Sequence, residues 1–587
     1  MPKKMRTFYI ILILNFIAST MVFAGASDDQ SLLGLEESDK PQKPAGMQAM
    51  RQNTQPNVRE TLLGKLPKGY QIIPDSIKMS PDLRDVAYAA YSDETHNIIQ
   101  FNNQTSPIYY AVQPNYPIFS PEKNRYAYIA YKNKDKVAIV VDGQTIDTPD
   151  NAGNFLFSPN GARYACRAQK NNQQYTIVDG IPGPTYKGIP IKDNFAFSDE
   201  GERFIYVALK NDSCVAVVDG REETSAFNFI TSVRFSMDST QYAYKARTEK
   251  KANGAEKWCV VQNGKAGKIY DRIFDLIFSY DSKHLAYTVI NNKKLMLVFD
   301  GREMEPYDIV GLPVFSFDSK SFAYAYSENK KWYIIINDEK SSAFDQIYKF
   351  YFSPDSKRSA FFARTSDEWD CIVDGKKSVS FDKMVETFKF SPDSTRYVYA
   401  GVNEDGSQMI VDGIPGSVYK SVGEPYFSPD SKTLVYRAIR PEENKWITVL
   451  DNRESKKRYN GIGKYEFSPD SRHLAFPAFI SINQTVMVVD GNEECADKNY
   501  KILGDPTFSP NGNYIVYHAM AAPENWHLVI NGQVLPGAYG GFMKGTPIIF
   551  DSPTHFHTLG VKAGGEEFVL IDVDIPETLK LTSELKS

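Results

Sequence analysis

The chain has 587 residues, 42% of them hydrophobic and 24% charged, with a formal net charge of −5. That length exceeds one ordinary hydrophobic core, so several domains or a repeat array are required. The mildly acidic balance gives no support for a nucleic-acid or anionic-membrane surface.

Read from the N-terminus, Lys3, Lys4 and Arg6 precede an apolar run from Phe8 to Phe23 and then Ala24-Gly25-Ala26. This is the pattern of an export signal over residues 1–26, with cleavage before Ser27. The run is shorter than the ~20 residues of a membrane span, and no Cys follows it to carry a lipid. Loss of the three basic residues would take the net charge from −5 to −8. Residues 27–60 are polar and aperiodic, and read as a flexible linker. The segment "KGYQIIPDSIKMSPD" (68–82) then holds a strand ahead of the first repeat, which suggests that a strand from the chain start completes an unfinished last unit and removes a free sheet edge.

A period near 40 residues follows. Its anchors are Ser80, Ser120, Ser158, Ser198, Ser236, Ser279, Ser316, Ser353, Ser391, Ser428, Ser468, Ser509 and a degenerate Asp551, numbered here as units 1 to 13. In "FSPDSKRSAFFA" (352–363) and its relatives, an aromatic ends a first strand and Ser-Pro-Asp-Ser or Ser-Pro-Asn-Gly makes a β-turn, Pro presetting φ. An alternating second strand follows, such as "KHLAYTVI". A third, β-branched strand ends in Asp-Gly or Asn-Gly, the strongest short hairpin signal because both positions need positive φ. The fourth strand carries an aromatic seven residues after the hairpin residue, as in Asp179 to Tyr186 and Asp374 to Phe381. Trp258, Trp332, Trp369, Trp446 and Trp526 each stand five residues before that residue, so they share one phase and read as wall residues between sheets.

These units resemble the WD40-like (PD40) propeller repeats of the TolB type, in which a Phe-Ser-Pro-Asp-Gly/Ser turn leads into Leu-Ala-Tyr. The likeness spans residues 62–575. It implies an all-β fold of about 13 four-stranded blades, and a family whose members serve in envelope complexes, as appendages of peptidases and as stand-alone binding modules. There is no room for the N-terminal α/β domain of TolB, and 13 units exceed one six-bladed ring, so membership of that envelope complex is not implied. Rings of 4 to 8 blades are usual, which suggests tandem propellers split 6+7 or 7+6: a first over 61–310, a second over 311–578, and a tail at 579–587.

Chemistry is sparse. The chain lacks Gly-x-Ser-x-Gly, a phosphate-binding loop and His-Glu-x-x-His. The five cysteines, Cys166, Cys214, Cys259, Cys371 and Cys495, are odd in number and form no CxxC pair, and most read as small buried hydrophobes. The repeated aspartates of the two turns read as turn geometry rather than as paired catalytic carboxylates. His284 and His473 share a position five after the Ser, where other units carry Arg125 or Thr433, and it reads as exposed variable surface. His518, His527, His555 and His557 fall in the last two units. His555 and His557, two apart on one strand face, are the candidate metal pair. The insert "RTEKKANGAEKW" (247–258) reads as a solvated hairpin tip able to meet a partner. The expectation is an exported, non-enzymatic scaffold of the periplasm or exterior, without cofactor, binding a protein, peptide or glycan through the loop-bearing ring faces. The alternative is a propeller lyase or hydrolase with its site at a central channel.

Overall fold

The computed structural model describes residues 55–250, 254, 256–543, 545–582 and 585. The export signal and the linker up to residue 54 lie outside them. Thirteen antiparallel sheets follow one another along the chain, twelve of them with four successive strands and the last with three joined by a strand from the chain start, and the first strand is split in two in several units. Helix is confined, among the described residues, to the 3-10 turns Ala496–Lys498 and Glu577–Leu579. The fold is a 13-blade β-propeller.

Local chemistry builds each unit. Serines of the first turn are buried, and in unit 8 the Ser353 hydroxyl donates to Asp355 Oδ1 at 2.6 Å while accepting the Arg358 N–H at 2.9 Å. Ser356, Ser394 and Ser431 close their turns at φ 64°, 65° and 66°, where unit 3 has Gly161. In the hairpin between the third and fourth strands both central residues have positive φ, as at Asp374 (50°) and Gly375 (73°), which is the geometry that the Asp-Gly dipeptide favours.

The turns also join units to one another. The N–H of the turn acid donates to the second turn serine of the following unit: Asp281 to Ser319 at 2.9 Å, Asp318 to Ser356 at 3.0 Å, Asp393 to Ser431 at 3.0 Å. With the Glu200–Ser239, Asp238–Ser282, Asp355–Ser394 and Asp430–Ser471 bonds, this ladder runs unbroken from unit 4 to unit 11.

Side-chain size sets the packing between sheets. The residue seven after the anchor is small or β-branched and buried, and it receives the aromatic eight after the anchor of the next unit. Ala165 meets Tyr206, Ala243 meets Tyr287, Ala360 meets Tyr399 and Ala475 meets Tyr517 in shared cores. Large against small lets neighbouring sheets interdigitate at interior density. Cys166 holds this aromatic position in unit 3 and is fully buried. Cys214, Cys259 and Cys371 are buried too, while Cys495 is half-buried.

A strand from the chain start does complete the last unit. Asn57–Lys65 pairs antiparallel with Glu567–Asp574, Glu60 opposite Ile571, so residues 57–60 are strand rather than linker. The 68–82 segment instead supplies unit 1 with its own first strand. Sheet 13 packs on sheet 1 through Leu559, Phe568 and Leu570 against Val86 and Tyr88. The division into two rings is not seen: residues 53–587 form one compact unit, the 6–7 interface near residue 310 is packed by Leu297 against Val310 and Tyr324, and the succession of interfaces closes from unit 13 back to unit 1. The described residues of the tail dock on units 11 and 12, where Leu581 N–H donates to Asn513 O and Leu585 N–H to Arg472 O.

The turn carboxylates carry a pH signature. The Ser391 hydroxyl beside Asp393, and the Thr240 N–H beside Asp238, hold these carboxyls near pKa 2, below the ordinary 3.8. Because the folded state binds the proton less readily, this stabilisation is present above pH 4 and is lost as the pH falls toward 2. A double Asp238→Asn/Asp393→Asn variant should lose less stability than the parent between pH 4 and pH 2, read as urea midpoints; an equal loss would show that these turns do not contribute.

Candidate functional surface

Residues that repeat at one phase are occupied by architecture. Hairpin aspartates use both oxygens: Asp374 Oδ1 accepts the Ser359 N–H at 3.1 Å, and Oδ2 accepts Arg358 Nε at 2.9 Å. Arg358 Nη1 then donates to the Thr395 carbonyl of the next unit at 2.7 Å. The same ion pair joins Arg125 to Asp142, Arg163 to Asp179, Arg203 to Asp219 and Arg396 to Asp412. His284 and His473 occupy this arginine position, with Nδ1 at 2.6 Å from Asp300 Oδ2 and 2.8 Å from Asp490 Oδ2. At His473, which is 4% exposed, the reading of exposed variable surface is therefore corrected, while His284 keeps 37% of its side chain exposed. The partner of His473 lies 17 residues away across the hairpin, which is why local sequence hid it.

The repeat tryptophans lie in the walls between sheets. Trp332 exchanges both backbone hydrogen bonds with Phe344, and Trp446 with Tyr459, so the tryptophan phase and the fourth-strand aromatic phase are two sides of one cross-strand pair. Trp258, Trp369, Trp446 and Trp526 then pack against the cores joining their unit to the next.

His555 and His557 meet at Asp551 rather than around an open coordination position. Asp551 Oδ2 lies 2.6 Å from His557 Nδ1 and 3.5 Å from His555 Nε2, and His555 Nδ1 lies 2.7 Å from Asp574. The buried His557 donates Nε2–H to the Asp82 carbonyl of unit 1 at 2.6 Å, so both ring nitrogens are engaged and the side chain bridges the last unit to the first. Among the described residues no group of three or more His, Cys, Asp or Glu could hold a metal ion. His527 Nδ1 lies 3.2 Å from the Gly537 carbonyl.

Glu494, Cys495 and Tyr517 form a cluster of buried titratable groups. Burial pushes the Glu494 carboxyl up to about 7, and pushes the Cys495 thiol and Tyr517 hydroxyl up as well. Tyr517 Oη lies 3.5 Å from Glu494 Oε2 and 4.0 Å from Cys495 Sγ. A thiol held protonated is a poor nucleophile, so the trio gives no support to covalent catalysis. In the insert, Lys251–Asn253 and Ala255 lie outside the described residues; at its base Arg247 pairs with Glu256 at 2.7 Å and stacks on Phe229 and Trp258.

The departures from the repeat that sequence reasoning missed are Met237, Tyr280 and Phe317. Each follows the anchor serine of consecutive units 5, 6 and 7, where eight other units have Pro. They are 49%, 42% and 53% exposed, and the Tyr280 and Phe317 rings lie 5.3 Å apart. The Asp238–Ser282 and Asp281–Ser319 bonds hold the three turns side by side. The carboxylates beside them are turned inward, Asp238 onto Ser236 at 2.8 Å, Asp281 onto Ser279 at 2.6 Å and Asp318 onto Ser316 at 2.7 Å. An apolar ridge is left on the face that carries the first turns. The signal was present in the sequence as Ser-Met-Asp-Ser, Ser-Tyr-Asp-Ser and Ser-Phe-Asp-Ser.

No protein-family model and no curated protein matches this chain. Among solved structures, one described as a eukaryotic initiation factor is similar at 12% identity over 55% of this chain and 92% of its own, with a TM-score of 0.29. A Dos1 propeller is similar at 13% identity over 48% of this chain and 88% of its own, with a TM-score of 0.22. At such scores the fold rests on the sheets of this chain.

The corrected histidine position is directly testable. His473→Ala leaves Asp490 without its ring partner in a buried site, and should cost about 1–3 kcal/mol by urea denaturation. A cost within about 0.5 kcal/mol, as for a surface residue, would restore the exposed reading.

Proposed function

We propose that this chain is an exported binding scaffold, its thirteen blades forming one circuit, that docks a protein or peptide partner on the first-turn face of units 5 to 7. The observation that carries the reading is the ridge Met237–Tyr280–Phe317, three large side chains at adjacent turns, exposed at the turn position where eight other units place Pro. Contiguous exposed apolar surface marks interaction sites, and aromatic and Met side chains are enriched in interface centres. With the neighbouring carboxylates bonded inside their own turns, the ridge presents apolar surface, which suits apolar side chains of a protein better than the hydroxyls of a glycan.

Export is supported by Lys3, Lys4 and Arg6 ahead of the apolar run Phe8 to Phe23. Among the described residues no helix is long and apolar enough to cross a membrane. Kinship with the TolB-type repeats is supported by the turn followed by Leu-Ala-Tyr, as at Leu285-Ala286-Tyr287.

The test is affinity capture from the envelope and medium of producing cells with wild type, Tyr280→Ser/Phe317→Ser and Ile482→Ser. Ile482 is 96% exposed at the opposite sheet end, between the second and third strands of unit 11. The double variant should keep its melting temperature and lose a partner at least tenfold, as removal of a hot spot does, while Ile482→Ser keeps it. An identical capture profile for all three would overturn the ridge as the docking site.

A further inference from the structure

The connection from unit 12 to unit 13 departs from the repeat in a second way. After the short fourth strand Gln533–Val534, the chain takes a long path through Gly540-Gly541-Phe542-Met543 before the next first strand, Ile549–Ser552. Phe542 is laid on the ring of His518, centroids 3.9 Å apart, and edge-on to Trp526 at 6.2 Å. Between these residues and the first strand of unit 12 is an open cleft of about 530 Å³, lined by Gly504, His518, Trp526, Phe542, Met543 and Thr546 among others.

His518 stands nine residues after its anchor. The equivalent side chains Arg437, Pro477 and Ala325 lean over Gly423, Gly463 and Gly311, as His518 leans over Gly504. The glycine therefore belongs to the repeat, and the imidazole is what is special to unit 12.

Hydrogen bonding fixes the state of that imidazole. Thr558 has one hydroxyl proton and donates it to the Pro547 carbonyl at 3.0 Å. Its oxygen, 3.4 Å from His518 Nε2, is then an acceptor, so the ring carries its proton on Nε2. Burial disfavours the charged ring, lowering its pKa to about 3. Nδ1 is left as a lone-pair acceptor with no hydrogen bond among the described residues, on the edge facing Gly504, where a Cβ would come within 3.5 Å of it. The cleft is of mixed polarity, with Asp505, Thr507 and Thr546 beside the apolar faces of Trp526, Phe542 and Met543, and Nδ1 is the buried acceptor at its aromatic wall, where a polar atom sets the orientation of a bound ring.

We infer that this cleft is a binding site for an uncharged aromatic group carrying a single N–H or O–H donor, such as an indole or a phenol, with the ring against Trp526, Phe542 and Met543 and the donor on His518 Nδ1. The site is separate from the ridge of units 5 to 7. The same chemistry is offered by a free small molecule and by a Trp or Tyr side chain of a peptide.

The test uses the whole mature chain with indole, 1-methylindole and a capped tryptophan peptide, followed by calorimetry and by ¹⁵N spectra of labelled histidine. Indole should bind at least tenfold more tightly than 1-methylindole, which lacks the donor, and should move the Nδ1 resonance of His518. His518→Phe keeps a ring against Phe542 and should bind the two compounds equally. Gly504→Ala, whose added methyl makes ordinary van der Waals contact and covers Nδ1, should weaken indole more than 1-methylindole in a folded protein. Peptide binding as tight as that of free indole would assign the cleft to a partner's side chain, and exclusion of the peptide would assign it to a small molecule. Equal binding of indole and 1-methylindole by the wild type, or binding of none of the three probes, would overturn the inference.

Discussion

A buried serine hydroxyl at the turn between first and second strands carries more of this structure than its size suggests. In one direction it satisfies the backbone N–H five residues on; in the other it binds the turn carboxylate two residues on, as Ser391 does with Arg396 and Asp393. The carboxylate so placed leaves its own N–H aimed at the next unit, where a second serine waits in the left-handed region. A local turn thereby becomes a bond between sheets, repeated at the period of the chain. Because the hydroxyl network holds the turn, the residue after the serine is released from having to be Pro. That freedom is what lets Met237, Tyr280 and Phe317 stand at adjacent turns without disturbing the fold.

The same period governs the interior. A small or β-branched residue seven after the anchor, facing an aromatic eight after the next anchor at most interfaces, gives a directional fit, unit n receiving unit n+1. Such nearest-neighbour packing adds units without specifying their number. Closure must then come from the ends, and it does: Asn57–Lys65 fills the outer position of sheet 13, and His557 and Arg84 tie sheet 13 to unit 1.

What the sequence revealed follows from this division. Turns, hairpins and strand order were legible because each rests on residues within about a dozen positions: Ser-Pro-Asp-Ser, Asp-Gly, and the paired Trp and aromatic phases. A boundary between rings was not legible, because the interface between units 6 and 7 is made of the same residue types as its neighbours. His473 was misread, and the partner of His557 was hidden, for a related reason. One meets Asp490 across a hairpin and the other meets Asp82 from the far end of the chain, and neither distance leaves a local trace. The ridge is the opposite case, legible as three broken copies of the motif yet without meaning until the structure showed those copies to be neighbours and exposed. The free Nδ1 of His518 had no signal at all, since it depends on where one threonine hydroxyl sends its proton.

Closure of sheet 13 on sheet 1 is the feature on which the fold depends most directly. Single-particle imaging of the mature chain should show thirteen sheets in one closed succession, with the strand of residues 57–65 as the outer edge of the last sheet. Two separately closed rings of six and seven sheets would contradict it.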